Sequence, residues 1–102
     1  MSVAGYEAIE EKFLQETGVE RSTMMGFPCL RSHGEFFASL ELHTGHLIVK
    51  LHEQRVAELV DDGIGDPFAP NGRVFREWVK IPDFDEERWT ALVAEAKRFV
   101  AS

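Results

Sequence analysis

The most constraining feature of the sequence is the alternation of apolar and polar residues in EFFASLELHTGHLIVKLH, residues 35–52. A two-residue Thr44-Gly45 loop between two alternating runs is a strong signal for a β-hairpin. On one face this register pairs Leu42 with Leu47, Leu40 with Val49 and Ala38 with Leu51. On the other face it pairs His43 with His46, Glu41 with Ile48, Ser39 with Lys50 and Phe37 with His52. One face is apolar and the other mostly polar, which predicts a half-buried antiparallel sheet.

Helical patterns flank this hairpin. Apolar residues at helical spacing predict a first helix over residues 5–16 and a second over residues 53–63. A third helix is expected after Asp83 or Asp85, either of which is a suitable N-cap, because acidic residues and a long apolar stripe follow.

Two further strands complete the predicted sheet. Residues 22–31 form an apolar run interrupted by Gly26 and Pro28, and a proline inside a strand is typical of an edge position or a bulge. Residues 73–81 alternate between apolar and polar side chains, and Pro82 follows them. The sequence predicts one α+β domain over residues 1–102, in the order α-β-β-β-α-β-α, with an antiparallel sheet of about four strands and helices on one face.

Composition narrows the class of protein. The chain has 44% hydrophobic residues, a formal net charge of −7 and one cysteine. Enough apolar material is present for a core, the charge disfavours sequence-independent nucleic-acid binding, and an internal disulfide is excluded. The start of the sequence has neither the basic nor the apolar region of a secretory leader, and no apolar run is long enough for a membrane span. We therefore expect a cytoplasmic protein that does not bind membranes.

The predicted last strand contains the candidate binding residues. Its inward positions are Phe75, Val79 and Ile81. The candidate site, on its outward side and the neighbouring strand, comprises Arg73, Arg76, Trp78, Lys80 and Lys50. Basic residues interleaved with an aromatic ring can contact phosphate and stack a base. The same residues suit a protein partner, or the long Arg and Lys stems can simply cover Trp78.

The Gly63-x-Gly65 spacing resembles part of a phosphate-binding loop but does not complete one. A dinucleotide fingerprint requires a third glycine, where this chain has Phe68, and it requires a preceding strand and a following helix. Asp62 and Asp66 would also repel phosphate. We interpret this segment as a helix end followed by a connector.

Metal and catalytic chemistry are not expected. His43 and His46, across the predicted turn, could ligate zinc or copper, but a third ligand is needed. His52 lies six residues from His46, about 20 Å along an extended strand. Cys29 has apolar neighbours, which favour a buried, inert thiol. No nucleophile–base pair, metal-ligand set or paired carboxylates are recognisable, so the sequence predicts a non-enzymatic domain without a cofactor.

Three ordered motifs resemble the TfoX N-terminal domain family. They are TMMGFPCL (residues 23–30), GEFFASLELHTGHLIVKL (residues 34–51) and GIGDPFAPNGRVFREWVKIP (residues 63–82). The resemblance covers roughly residues 6–100. The related YjbR-like family, described as double-wing DNA-binding-like, shares the helix–hairpin–helix–strand–helix order and is the second candidate.

The resemblance implies a small α+β domain similar to secretion-chaperone-like proteins. Founding members of the TfoX family regulate competence genes and carry a second, C-terminal helical domain. This sequence stops at Ser102, so we expect that second domain to be absent. The expected function is regulatory: binding of a protein partner, or self-association, through the open sheet face or an edge strand. The alternative is nucleic-acid binding of the YjbR-like type through residues 73–80.

Overall fold

The computed structural model describes residues 2–101, which form three helices and six strands. In chain order these are α1 (Ser2–Leu14), β1 (Val19–Met24), β2 (Phe27–Ser32), β3 (Glu35–Glu41), β4 (His46–Lys50), α2 (Glu53–Asp61), β5 (Asp66–Pro67), β6 (Trp78–Ile81) and α3 (Glu86–Ala101). The prediction of an α+β fold is confirmed. The predicted order of elements differs, because this part of the chain has one additional strand before α2 and another before β6.

The strands form one open sheet in the order β1-β2-β3-β4-β6-β5, and every neighbouring pair is antiparallel. The sheet is therefore larger than the predicted four strands. One edge is the six-residue strand β1, and the other is the two-residue strand β5. Strand β5 contains Pro67, which has no backbone N–H to donate. The two edges thus offer very different lengths of unpaired backbone.

A tight turn at Met25 and Gly26 divides the first predicted strand in two. Both residues have positive φ, 53° and 81°, as a two-residue type I′ hairpin turn requires. The prediction of one interrupted strand over residues 22–31 is therefore wrong. Pro28 does not guard an edge, because it lies in the interior strand β2 opposite Thr23. It sits beyond the last residue pair of the β2–β3 ladder, which therefore loses no hydrogen bond.

The β3–β4 hairpin has a four-residue turn, Leu42–Gly45, instead of the predicted two-residue turn. The backbone amides of Thr44 and Gly45 both donate to the carbonyl oxygen of Glu41, at 3.3 and 2.7 Å. The hydroxyl of Thr44 also donates to the carboxylate of Glu41 at 2.6 Å. The turn is therefore closed by Glu41, through its backbone and its side chain.

This longer turn shifts the hairpin register by two residues. Leu40 pairs with Leu47, so the predicted pairs, including His43 opposite His46, are wrong. A shift of two residues leaves each side chain on its own face of the sheet. The predicted core face is consequently retained, except that Leu42 lies in the turn and is 49% exposed.

The three helices pack against one face of the sheet, here called the inner face. Helix α3 lies across β2, β3 and β4, and its Trp89 is fully buried with the indole N–H donating to the carbonyl of Asp83 at 3.0 Å. Asp85 caps α3 as predicted, accepting a hydrogen bond from the amide of Arg88 at 2.9 Å. None of the helices within residues 2–101 is long and apolar enough to cross a membrane. The buried core residues of the helices are Tyr6, Ile9, Phe13, Val56, Leu59, Trp89, Leu92, Val93 and Ala96.

A β-bulge in β3 decides which of two adjacent aromatic residues enters the core. Leu30 pairs with Ala38 but Arg31 pairs with Phe36, so Phe37 is an extra residue in β3. Phe37 is fully buried in the core, whereas Phe36 is only partly buried and lies outside it. The prediction that Phe37 lies on the polar face is therefore wrong.

The two glycines of Gly63-x-Gly65 have separate structural roles. Gly63 follows α2 with φ 75°, and its N–H donates to the carbonyl of Val60 at 3.1 Å, which ends the helix as predicted. Gly65 is buried against β6, where a Cβ atom would lie 2.7 Å from Val79 Cγ2 and 3.2 Å from the carbonyl oxygen of Lys80. The segment is a close-packed connector between α2 and the sheet.

Replacing Gly65 with alanine should lower the free energy of unfolding by about 1–3 kcal/mol, because the added methyl group overpacks against Val79 and the β6 backbone. Urea denaturation measures the change. Gly5→Ala is the matched control, since its methyl group meets the ring of Phe84, which is 40% exposed and can move. Alanine also favours the helix there, so the control should stay within about 1 kcal/mol of wild type. Wild-type stability of Gly65→Ala would contradict the close packing.

Candidate functional site

The opposite side of the sheet, here called the outer face, is the candidate functional site. The helices of residues 2–101 bury their apolar residues against the inner face, so no helix covers the outer one. The strand pairing places side chains from β2, β3, β4 and β6 on this surface. On these four strands the outer-face residues are Phe27, Cys29, Arg31, Phe36, Ser39, Glu41, His46, Ile48, Lys50, Trp78 and Lys80. Strand β1 adds Glu20, Ser22 and Met24, which lie opposite Arg31, Cys29 and Phe27.

The middle row of the outer face is buried although no helix lies over it. Cys29, Ser39 and Ile48 are neighbours across three strands, and each is fully buried. Lys80, opposite Ile48 on β6, extends its Nζ to Glu41 Oε1 on β3 at 3.4 Å. Since β4 lies between those two strands, the Lys80 side chain spans the Ile48 row. The outer face was expected to be mostly polar, but its middle row is buried, and the Lys80 side chain crosses part of that row.

An open depression of about 380 Å³ lies at the β6 end of the outer face. Its lining residues are Lys50, Phe75, Arg76, Glu77 and Trp78. Lys50 and Trp78 are opposite residues on β4 and β6. The amide of Leu51 donates to the carbonyl of Glu77 at 2.8 Å, which continues the contact between the strands beyond that pair. This Trp78 depression thus combines a partly exposed indole with two cationic side chains.

Three of the five predicted site residues, Lys50, Trp78 and Lys80, lie on strands of the outer face. Arg73 and Arg76 do not, because the predicted last strand begins only at Trp78. Arg76 still reaches the site, since it lines the Trp78 depression. Arg73 is exposed in the preceding irregular segment and is not among the residues that line the depression.

An aromatic contact explains why the last strand starts late. The rings of Phe68 and Phe75 are 5.8 Å apart, and the amide of Phe75 donates to the carbonyl of Phe68 at 3.0 Å. The amide of Trp78 then donates to the carbonyl of Phe75 at 3.1 Å, forming a turn immediately before β6. The prediction of inward packing is confirmed for Val79 and Ile81, whereas Phe75 pairs with Phe68 outside the main core.

Ion pairing separates the cations of the chain into two groups. Arg31 and Lys80 on the outer face each pair with a glutamate, at 3.2 and 3.4 Å. Lys50 and Arg76 in the Trp78 depression make no ion pair with any residue in the 2–101 range. The cations of that range without an ion pair are Lys50, Arg73, Arg76, Arg88 and Arg98.

Phe27 and Phe36 are outer-face aromatics that the sequence did not single out. The ring of Phe27 lies 5.8 Å from that of His43, next to the β3–β4 turn. Phe36 reaches the outer face because of the bulge, which leaves no clear mark in the sequence. The position of Phe27 could have been predicted, since a hairpin turn at Met25-Gly26 makes Phe27 the first residue of the next strand.

The histidines do not assemble a metal site. His43 lies in the exposed hairpin turn, and His46 is opposite Glu41 rather than His43. His52 caps α2, where its Nδ1 accepts a hydrogen bond from the amide of Gln54 at 3.1 Å. Across residues 2–101, no group of three His, Cys, Asp or Glu side chains is placed to hold a metal ion.

Glu41 links the hairpin turn to β6. Its side chain is 10% exposed and accepts hydrogen bonds from Thr44 Oγ1 at 2.6 Å and Lys80 Nζ at 3.4 Å, with His43 Nε2 at 3.9 Å. Burial by itself would raise the pKa of Glu41, but the Thr44 hydrogen bond and the Lys80 charge outweigh it and lower the pKa. The ionised carboxylate therefore holds the turn and Lys80 in place at neutral pH.

Cys29 is chemically shielded in the middle row of the outer face. It is a free thiol with no exposed surface. Burial, assisted by the charge of Glu10, raises the pKa of the Cys29 thiol to about 11. Its position and its pKa both favour a structural role over a nucleophilic one.

Comparison of the chain with protein-family models, with curated proteins and with solved structures found no match. The resemblance to the TfoX N-terminal domain family therefore stays a prediction.

Protonation of Glu41 in acid should lower the free energy of unfolding. Because its folded pKa is below the ordinary value of 4.5, the stabilisation is complete above that value and is lost as the pH falls through the folded pKa. Chemical denaturation from pH 6 to about pH 2.5 should show a smaller loss for Glu41→Gln than for wild type. Glu35→Gln, an exposed carboxylate without an ion pair in residues 2–101, should follow wild type. Identical acid sensitivity of Glu41→Gln and wild type would contradict this role.

Cys29 should react slowly with a thiol reagent in the folded protein. Raising the thiol pKa from 9.0 to about 11 lowers the thiolate fraction about a hundredfold at pH 8. Burial adds a steric barrier, so labelling with a chromogenic disulfide should be at least about a hundredfold slower than in urea-unfolded chain. Equal rates in the two states would show that the outer-face row is open to solvent.

Proposed function

We propose that this chain is a non-enzymatic protein-interaction domain that binds an acidic protein segment with its outer face. The Trp78 depression is the observation that most supports this function. There a partly exposed indole shares one depression with Lys50 and Arg76, two cations that make no ion pair in residues 2–101.

The outer face offers aromatic area suited to a protein partner. Phe27, Phe36 and Trp78 are each partly exposed, and each is held by a strand of the sheet. Aromatic side chains contribute much of the binding energy at protein interfaces, most of all where their surroundings exclude water. Because strand positions already restrict these rings, their ordering on binding costs little entropy.

The free cations select the charge of the partner. Lys50 and Arg76 lie beside the indole, and Glu77 is the acidic residue that lines the same depression. A carboxylate of the partner would supply a counter-ion to these cations and would fix the orientation of the complex. The expected partner segment therefore carries Asp or Glu next to an apolar side chain that contacts Trp78.

Single-stranded nucleic acid is the competing ligand, because bases also stack on aromatic rings beside cations. Phosphate binding, however, depends on the number of cations that can replace counter-ions. Arg31 and Lys80 are already paired with glutamates, and Glu41 and Glu77 place negative charge on or beside the same surface. Together with the net charge of −7 of the whole chain, these paired cations and nearby carboxylates favour a protein partner over nucleic acid.

A second copy of the chain is the other alternative occupant. Two copies each carrying −7 repel one another, most strongly at low salt. At physiological salt charges beyond about 8 Å are screened, and a short acidic segment then brings fewer like charges within that distance of the outer face than a whole copy does. The local cations of the Trp78 depression therefore favour a segment of another protein over a whole acidic copy.

Selection of a phage-displayed peptide library against the folded chain should enrich sequences that combine Asp or Glu with an aromatic or aliphatic residue. Calorimetry then gives the affinity of synthetic copies. Trp78→Ala should weaken binding at least about tenfold, the loss typical of an aromatic anchor. The Lys50→Glu, Arg76→Glu double variant should weaken binding by a similar factor through charge repulsion.

The Arg88→Glu, Arg98→Glu double variant is the matched control. These arginines are also exposed and unpaired within residues 2–101, but they lie on α3. Its affinity for the peptides should stay within about twofold of wild type, as expected for distant surface charges. Peptide binding retained by Trp78→Ala would overturn the proposal. A Trp78-dependent complex with oligothymidine at low salt would assign the face to nucleic acid, and a Trp78-dependent dimer in sedimentation would assign it to self-association.

A further inference from the structure

The free edge of β1 is a second candidate interaction surface. Strand β1 is one edge of the sheet, and the Trp78 depression lies near the other edge, at β6. The six residues of β1 pair regularly with β2, and no other strand of residues 2–101 pairs with the far side of β1. Proteins usually protect such an edge with a proline, a bulge or a very short strand. Strand β1 has none of these features, so its edge can accept a further strand.

The backbone groups of Arg21 and Thr23 point to this free edge. Thr23 pairs with Pro28, which has no N–H and whose carbonyl oxygen accepts from Ser39 Oγ at 2.8 Å, on the far side of β2. The Thr23–Pro28 pair is therefore not hydrogen-bonded, and such pairs alternate with hydrogen-bonded pairs along an antiparallel ladder. Arg21, two residues earlier, consequently has the same orientation as Thr23. Each of the two residues offers one donor and one acceptor to a further strand.

The charged side chains of β1 do not block this edge, because each of them forms an ion pair within the chain. Glu20 Oε1 accepts from Arg31 Nε on β2 at 3.2 Å. Arg21 donates from Nε to Glu10 Oε1 at 2.8 Å and from Nη2 to Glu11 Oε1 at 2.9 Å, both on α1. Glu20 is thus held toward β2 and Arg21 toward α1. Neither charge is left without a counter-ion when a further strand excludes water from the edge.

Helix α1 determines the charge that an added strand should carry. The Arg21 side chain points to the inner side of the sheet, where it meets Glu10 and Glu11. Side chains of an added strand that lie opposite Arg21 and Thr23 point to the same side. Glu7 of α1 lines a cavity of about 500 Å³ together with Arg21, is exposed, and makes no ion pair with any residue in the 2–101 range. A Lys or Arg of the added strand supplies a counter-ion, and the net charge of −7 attracts a basic segment.

We propose that the edge of β1 binds an extended segment of another protein as an added strand, with Lys or Arg at its inward positions. The backbones of Arg21 and Thr23 form the hydrogen bonds, and Glu7 pairs with a basic side chain. On the outer side Met24 is partly exposed, so the adjacent outward position of the segment is apolar. Backbone bonds provide affinity in this mode of recognition, and alternate side chains provide specificity. The edge is separate from the Trp78 depression, and either function can fail without the other.

Amide hydrogen exchange of the full chain, followed by NMR, tests whether the edge is open. The amides of Arg21 and Thr23 should exchange at least about tenfold faster than those of Glu20 and Ser22, which bond to β2. Equal protection of all four amides in the dilute chain would show that the edge is already closed. A dimer in sedimentation that protects Arg21 and Thr23 would assign the edge to a second copy and overturn the proposal.

Selection of phage-displayed peptides against the full chain should also enrich sequences with Lys or Arg at alternate positions and apolar residues between them. Thr23→Pro removes an edge-facing N–H without removing a bond to β2, and calorimetry should show binding of synthetic copies weakened at least about fivefold. Thr23→Ala keeps that N–H and is the matched control, expected to bind within about twofold of wild type. Trp78→Ala should bind these peptides as wild type, which separates them from ligands of the outer face. No enrichment of such peptides, or equal affinity in Thr23→Pro and Thr23→Ala, would refute pairing at β1.

Methylation of the peptide backbone decides the question if Thr23→Pro fails to fold. N-methyl groups on one set of alternate peptide amides should abolish binding, and those on the other set should not, because only one side of an added strand faces β1. Tolerance of both sets would overturn the proposal. Glu7→Lys should weaken binding at least about threefold through charge repulsion, whereas Glu87→Lys, an exposed position on α3, should stay within about twofold of wild type. Equal effects of the two reversals would refute the role of Glu7.

Discussion

The bulge at Phe37 in β3 is the constraint on which both the core and the outer face depend. The extra residue turns two consecutive side chains, Phe37 and Ala38, toward the inner face. It thereby leaves Phe36 opposite Arg31 on the other side of the sheet. One backbone irregularity supplies a fully buried ring to the core and a partly exposed ring to the outer face. Bulges often re-aim side chains in this way next to functional sites.

The parts of the fold that follow from short-range chemistry were predictable from the sequence. Asp85 caps α3 and Gly63 ends α2 because these contacts involve residues within one or two turns of helix. The inner face of the hairpin was also predictable, since alternation survives a two-residue change of register. The turn length was not, because it depends on the contact between Thr44 and the Glu41 side chain. Alternation carries no information about such a contact.

The same distinction applies to the candidate site on the outer face. Lys50 and Trp78 were identified because they occupy outward positions of paired strands. The prediction that Arg73 lies on the last strand was wrong because the strand begins only after the contact between the Phe68 and Phe75 rings. The alternation of side chains along the sequence does not reveal such a tertiary contact. The burial of Glu10 was not predicted, since a glutamate on an amphipathic helix is ordinarily solvated. Its burial follows from how closely α1 approaches the sheet, which helical periodicity does not specify.

The unequal edges of the sheet limit how copies of this chain could join through backbone pairing. Strand β1 presents six residues of unpaired edge, whereas β5 presents two, one of them Pro67. Two chains that met through their β1 strands would use up both long edges at once. No comparable edge would remain to receive a third chain, so this mode of association terminates at a closed pair instead of propagating into a fibre.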